Sequence, residues 1–480
     1  MKRFDAWLEK WFKTIYLLLI LAAAGMYGVF SLNALVWADE AYTFALVRHS
    51  FGEIWRITAA DVHPPLYYFL LKLVTAPFGY NLMVSRFASA IPCILIAALG
   101  GWQFRRLFGT RTAVLFMVLY LMYPYTMTYG AEVRMYSLAE LFIMLCAIYA
   151  YRSWLWNKPK DWVLFALAGT CAAYTHYFAL VSAAMIYGIL LLAAIMKKRE
   201  LLKSWAAAAA GTIVLFLPWL GSFVSQLAYK VNNEYWIEPI TIGTVVGYVK
   251  TVFSAGGMTA FTLFFGLAYV VALAALLLSR NKAHIGLCLC ALAVPLGTVA
   301  VGLAASILVR PVFVIRYILP SIPLAVFFFA FVLGNMTNEM LLSSLLTVAV
   351  MGGVSNALVT ARDALAPASN RISSQRVSDF PDCDAYVVLS GNTLHASQEL
   401  AYYDPGMTVY TVDPLGADNP YTNRVSYDGF RPEENPSVIL VLEEGAEIPE
   451  ALSARYSSEL LCSVSVSGTP QSIWHLTLSE

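Results

Sequence analysis

The stretch TIYLLLILAAAGMYGVFSLNALV, Thr14–Val36, decides the fold class. It holds no charged residue over 23 positions, enough for a helix to cross a hydrocarbon core about 30 Å thick. Lys2, Arg3, Lys10 and Lys13 precede it. No small-residue cleavage site opens a polar mature chain behind it, so it reads as a retained first span. Ten further apolar runs follow, among them 83–104, 112–129, one opening at Trp162, 258–278 and 340–360, which makes eleven. The composition agrees. Of 480 residues, 59% are hydrophobic and 13% charged, against about 25% charged in soluble domains, and the mean hydropathy is +0.66. A formal net charge of +1 offers no footprint for nucleic acid. These values exclude a soluble enzyme, a disordered chain and a nucleic-acid binder.

The segment Pro65–Phe78 is apolar but short, and Lys72 interrupts it. Basic residues concentrate in the cytoplasmic loops of membrane proteins. If Pro65–Phe78 does not cross, sixteen of the 31 basic residues share the side of the N-terminus, including Arg105, Arg106, Arg111, Arg152, Lys197 and Arg280. If it crosses, the later clusters move outside. The sequence therefore predicts a cytoplasmic N-terminus and an interfacial Pro65–Phe78. Within the same outer loop, Phe44, Val47, Phe51 and Ile54 recur at helical spacing, so Glu40–Thr58 reads as one helix lying in the membrane surface.

Beyond residue 360 the composition turns to Asp, Pro, Ser and Asn. Ala385–Leu389, Thr408–Val412 and Val438–Leu442 read as strands and Thr393–Tyr403 as a helix. The expectation is an all-α polytopic membrane protein over 1–360, with about eleven transmembrane helices and interfacial helices in the first outer loop. A small extracytoplasmic α/β domain over 361–480 follows. Cys383 and Cys462 either pair there as a disulfide or stay as two buried thiols.

Ionisable residues beside apolar spans are costly and mark function. Under this topology they gather on the outer side: Asp39-Glu40 at the close of the first span, Asp61-Val-His63-Pro64-Pro65-Leu66 in the first outer loop, Glu132-Val-Arg134-Met-Tyr136 in the second, His176 in the third and Arg316-Tyr317 in the fifth. That agreement points to one site at the outer surface. Each residue also has a plainer role. The two acids suit a helix N-terminus, the prolines break a helix, Glu132 and Arg134 can pair, Arg316 can snorkel, and His176 can close a span. As chemistry, a surface carboxylate can take a proton from an acceptor hydroxyl, and an arginine fork suits a phosphate. Tyr42, Tyr67, Tyr68, Tyr136 and Tyr177 suit sugar faces. Asp39, Glu40 and Asp61 can bind a divalent metal, although no spacing demands one.

Asp39-Glu40, His63-Pro64-Pro65-Leu66, Arg86 at the opening of the next span, Glu132-x-Arg134-Met-Tyr136 and Arg316-Tyr317-x-x-Pro320 together resemble the membrane-embedded C-type glycosyltransferases. Within these the resemblance is to the protein O-mannosyltransferases and lipid A aminoarabinose transferases and their bacterial relatives, over about residues 10–335. The resemblance implies a polyprenyl-phosphate-linked sugar donor, transfer at the outer face to a glycan, lipid or protein acceptor, and Asp39 as base with Glu40 beside it. Asp61, His63, Arg86, Glu132, Arg134, Tyr136, His176, Arg316 and Tyr317 become substrate-binding candidates. Members near the aminoarabinose transferases carry Asp in the second outer loop where this chain has Glu132. A transporter or lipid flippase is the rival, but it places its charges near the midplane and often shows internal repeats. Neither feature is present in this sequence.

Overall fold

The computed structural model describes residues 2–479 except 233–236, 254–269, 272–273, 275–277, 279–281, 337–338, 367–370, 391–392 and 413–414. The chain opens with α1 (Lys2–Phe30), α2 (Ala38–Arg48), α3 (Phe51–Ala60) and α4 (Leu66–Thr75). It continues with α5 (Leu82–Phe108), α6 (Thr110–Leu121), α7 (Pro124–Gly130) and α8 (Tyr136–Trp156), then α9 (Pro159–Ala173) and α10 (Tyr177–Lys197). Long helices follow at Leu202–Asn232, Lys282–Leu308, Ile322–Gly334 and Glu339–Leu365.

Among the described residues, eight helices are long and apolar enough to cross a membrane, as expected of a multi-pass membrane protein. Two of the eleven expected runs are shorter. The 112–129 run is cut into α6, of 12 residues, and α7, because Pro124 lacks the N–H that a continuing helix needs and instead starts a new one. The run opening at Trp162 belongs to α9, of 15 residues. The 258–278 run lies largely outside the described residues. The first span also stops early: α1 ends at Phe30, and Asp39 and Glu40 open α2 rather than closing α1.

The chain divides into two compact units, one of residues 1–31, 62–67 and 86–363, the other of 32–61, 68–85 and 364–480. The second unit thus joins residues 32–61 and 68–85 to the C-terminal segment.

In the first unit, small residues let helices approach closely. Ala139, Ala166, Ala172, Ala179 and Ala183 share one buried cluster with Phe165 and Ile186. Gly100 of α5 lies against the Phe116 ring of α6 with no room for a Cβ. A buried carboxyl here needs a hydrogen-bond partner. Glu140 of α8 has one in the Tyr120 hydroxyl, which donates to Oε2 at 2.6 Å. Tyr27 of α1 donates to the Thr126 carbonyl at 3.2 Å, tying α1 to α7.

In the second unit, the expected single surface helix is two helices. The break comes at His49-Ser50. Ser50 accepts from the Glu53 amide, and the Glu53 carboxylate accepts from the Ser50 amide, a capping box that starts α3 afresh. Phe44, Val47 and Ile54 are buried in protein, while Phe51 is 43% exposed. The Phe44 ring packs on Tyr402 at 5.1 Å. The apolar stripe of α2 therefore serves the C-terminal segment. Lys72 of α4 donates to the Val47 carbonyl at 3.0 Å and to the Tyr80 hydroxyl at 3.2 Å, which fixes α4 to the end of α2.

The C-terminal sheet has six strands in the order β3-β2-β1-β4-β6-β5: β1 (Ala385–Val388), β2 (Thr408–Thr411), β3 (Arg424–Ser426), β4 (Ser437–Glu443), β5 (Tyr456–Val466) and β6 (Thr469–Leu478). The first four run parallel, with Ala385 between Thr408 and Val438, and β5 and β6 add an antiparallel hairpin. The Thr393–Tyr403 helix makes the crossover from β1 to β2. The β5–β6 turn is Ser467-Gly468, both at positive φ, as a tight hairpin requires. Cys383 and Cys462 are both free thiols here, not a disulfide.

Candidate functional site

The predicted residues fall into two sets, one in each unit. In the first unit the Val62–Tyr67 segment is held at its C-terminal end. Leu66 N–H donates to the Tyr174 carbonyl at 3.1 Å, and the Tyr67 hydroxyl meets Ser89 Oγ of α5 at 2.8 Å. Two prolines stiffen the backbone between His63 and these anchors. Ser137 at the start of α8 bonds the Ser89 carbonyl. Arg86 lies three positions before Ser89 and is 6% exposed.

Arg134 sits in the turn between α7 and α8, where its N–H donates to the Glu132 carbonyl at 2.7 Å. Its side chain is 3% exposed, and Nη2 lies 3.2 Å from His63 Nε2. A guanidinium can only donate, so Nε2 of His63 is the acceptor in this contact. His176 lies in the turn between α9 and α10, outside both helices, and caps α10: its Nδ1 accepts from Phe178 N–H at 3.1 Å. Its Nε2 is therefore the protonated nitrogen of the neutral ring. Burial first, then coupling to the neighbouring His63 and the charges of Arg134 and Arg316, holds this imidazole well below the usual histidine range. The ring is 5.8 Å from Tyr136 and 5.1 Å from Tyr317, centroid to centroid. Arg316 and Tyr317 come from the 3₁₀ segment Ile315–Ser321, and Tyr317 stacks on Phe178 at 5.0 Å. Arg316 and Glu132 both act on the Tyr125 hydroxyl.

The structure thus brings His63, Arg134, Tyr136, His176, Arg316 and Tyr317 into one cluster, in which Arg134, Tyr136, His176 and Tyr317 are buried and His63 and Arg316 half-buried. The plainer reading of His176 also holds, since it does cap its helix. Tyr125 and Phe178 join the cluster without having been singled out in the sequence; Tyr125 sits among other interfacial aromatics, and Phe178 reads as part of an apolar span.

The acids form the second set. Asp39 and Glu40 occupy the first turn of α2, where backbone N–H groups favour negative charge. Glu40 is wholly buried, whereas Asp39 is half-buried. Asp61 is the C-cap residue of α3, and its Oδ2 accepts from the Tyr42 hydroxyl at 3.2 Å. Among the described residues no three His, Cys, Asp or Glu side chains group closely enough to hold a metal ion, so Asp39, Glu40 and Asp61 do not make a ready donor set. Lys72 is committed to Val47 and Tyr80.

Chemically, the first set offers two guanidiniums, imidazole nitrogens and aromatic faces, which suit a phosphate and a sugar ring. The second offers two half-buried carboxylates, Asp39 and Asp61, with the buried Glu40 beside Asp39.

Comparison with solved structures places the architecture. ArnT from Cupriavidus metallidurans in the apo state superimposes with a TM-score of 0.68 at 13% identity, over 96% of this chain and 98% of that one. The fold is that of ArnT. The same protein bound to undecaprenyl phosphate matches the ArnT-like chain at a TM-score of 0.65 and 13% identity, over 96% and 97% of the two chains. Residues 62–221, which carry His63, Arg86, Glu132, Arg134, Tyr136 and His176, match the family described as dolichyl-phosphate-mannose-protein mannosyltransferase. No curated protein matches by sequence. Fold and family match agree with the resemblance that the motifs carry.

Proposed function

We propose that this chain is a membrane glycosyltransferase. It moves a sugar from a polyprenyl-phosphate-linked donor to an acceptor hydroxyl or amine at the outer membrane face, with inversion at the anomeric carbon. The N-terminus is cytoplasmic and residues 361–480 are extracytoplasmic. The observation that carries this reading is the cluster of Arg134, Arg316, His63 and His176, which lies largely within the stretch matching the mannosyltransferase family. The solved ArnT bound to undecaprenyl phosphate supports a lipid-phosphate donor.

In this mechanism Arg134 and Arg316 neutralise the donor phosphate and stabilise it as it leaves. Asp39 takes the proton from the acceptor as its oxygen or nitrogen attacks the anomeric carbon. The sugar–phosphate bond breaks on the opposite face, and the lipid phosphate departs with the bonding electrons. Glu40, wholly buried, supports Asp39; the half-buried Asp39 is the acid able to meet an acceptor. Tyr136 and Tyr317 flank the sugar.

The test compares the lipid and envelope glycans of cells carrying the wild-type chain or Asp39→Asn, at equal membrane levels of protein. Loss of one glycan modification with Asp39→Asn is expected. Identical glycan profiles would remove the proposal.

A further inference from the structure

We propose that Tyr403, in the C-terminal segment, is a positioning residue for the Asp39 carboxylate; this rests on the reading of Asp39 as base. The chain between α1 and α2 is irregular, and Trp37, at the N-cap of α2, supplies no capping hydrogen bond from its side chain. Asp39 would otherwise sit at a helix end liable to fray. The Tyr403 hydroxyl accepts from Val36 N–H at 2.8 Å and donates to the Ala34 carbonyl at 3.3 Å. One side chain thus grips the backbone on both sides of Leu35, just ahead of the acid.

The grip is backed along the whole of α2. Tyr402, the neighbour of Tyr403, packs its ring on Phe44. Tyr42 donates to the Asp418 carbonyl at 3.4 Å. At the far end of α2, the His49 Nε2 lies 2.7 Å from the Pro420 carbonyl. Behind Tyr403, one helical turn earlier, Glu399 is wholly buried, with Arg371 Nη2 at 3.5 Å. Tyr421 is 7% exposed, and its hydroxyl has no hydrogen-bond partner among the described residues. The C-terminal segment is thereby built to hold α2 in register and in rotation. Misplacing a reacting group by about 1 Å can cost roughly 100-fold in rate.

The experiment uses the full-length protein in lipid nanodiscs, with wild type, Tyr403→Phe and Asp39→Asn side by side. Three quantities are read: undecaprenyl phosphate bound per chain, turnover per bound donor, and amide exchange over residues 32–40. For Tyr403→Phe, binding stoichiometry and donor KM should match wild type, turnover should fall tenfold or more, and the Val36 amide should exchange at least tenfold faster. Wild-type turnover in Tyr403→Phe overturns the inference, as does a turnover loss without faster exchange at Val36. A loss of donor stoichiometry also overturns it, because the residue is then merely holding the fold together. Wild-type turnover in Asp39→Asn overturns the base assignment and the inference with it. An inactive Asp39→Asn beside a normal Tyr403→Phe overturns the inference alone.

Discussion

The cationic cluster and the acid pair are held by opposite means. His63, Arg134 and His176 sit in turns between helices and Arg316 in a 3₁₀ segment; short-range backbone bonds fix Arg134 and His176, and Arg134 in turn meets His63. Asp39 and Glu40 sit on a helix whose partners come from the other end of the chain. The first arrangement survives as long as its spans pack; the second depends on the C-terminal segment. Mutations in the cluster should therefore change donor affinity, and mutations around α2 should change turnover.

The sharpest break would come from Asp39→Asn, which should cost about 10²–10⁴-fold in turnover, the usual scale of a general base. Donor KM should stay near wild type. A rise in KM with turnover intact would erase the division between the two sets.

Next in size is a pH effect confined to the second unit. Burial pushes the Glu399 carboxyl up to about 7, with Arg371 opposing in part. The unfolded carboxyl titrates near 4.5, so between these values the folded state holds a proton the unfolded state has lost. The stabilisation tied to that proton is complete below about pH 4.5 and is lost as pH rises through about 7, by roughly 3 kcal/mol. Glu399→Gln should flatten this dependence and leave the protein more stable than wild type at pH 8. Thermal unfolding in detergent at pH 5 and pH 8 checks it, and parallel curves for the two proteins would count against it.

Arg316→Ala should raise donor KM about 10–100-fold, the equivalent of one charge-assisted hydrogen bond of roughly 1.5–3 kcal/mol, with turnover at saturating donor largely kept. Isothermal binding of undecaprenyl phosphate gives the answer, and unchanged affinity would return Arg316 to the role of a headgroup anchor. Smallest is Ser50→Ala, which removes the capping box of α3 at a cost of about 1 kcal/mol. It should shift the unfolding midpoint while leaving donor affinity untouched.

The two regions also differed in how far the sequence could be read. The cluster residues stand out because a histidine before two prolines, or an arginine between apolar spans, has few ordinary reasons to be there. The break between α2 and α3 was available in Ser50-x-x-Glu53, but helical spacing continued across it through Phe51 and masked the cap. Likewise Pro124 marks the end of α6 inside an unbroken apolar run. The strands β1, β2 and β4 were legible as short apolar runs. By contrast β5 was not, because its faces are mixed and largely exposed. Nothing marks Tyr403, whose partners are backbone atoms of residues 34 and 36. Glu140 was hidden in the same way, since its hydrogen bond to Tyr120 appears only when α6 and α8 pack.

The bond from Val36 to Tyr403 spans 367 positions, and that distance has a meaning for biosynthesis. At translation rates of about 5–20 residues per second, the ribosome needs roughly 20–70 s after releasing Val36 to deliver its partner. Throughout that interval the segment bearing the acids waits without its clasp while the spans are threaded into the bilayer. The acid-bearing helix is therefore fastened only by a late part of the chain, and a chain truncated before Tyr403 would leave that helix without its clasp.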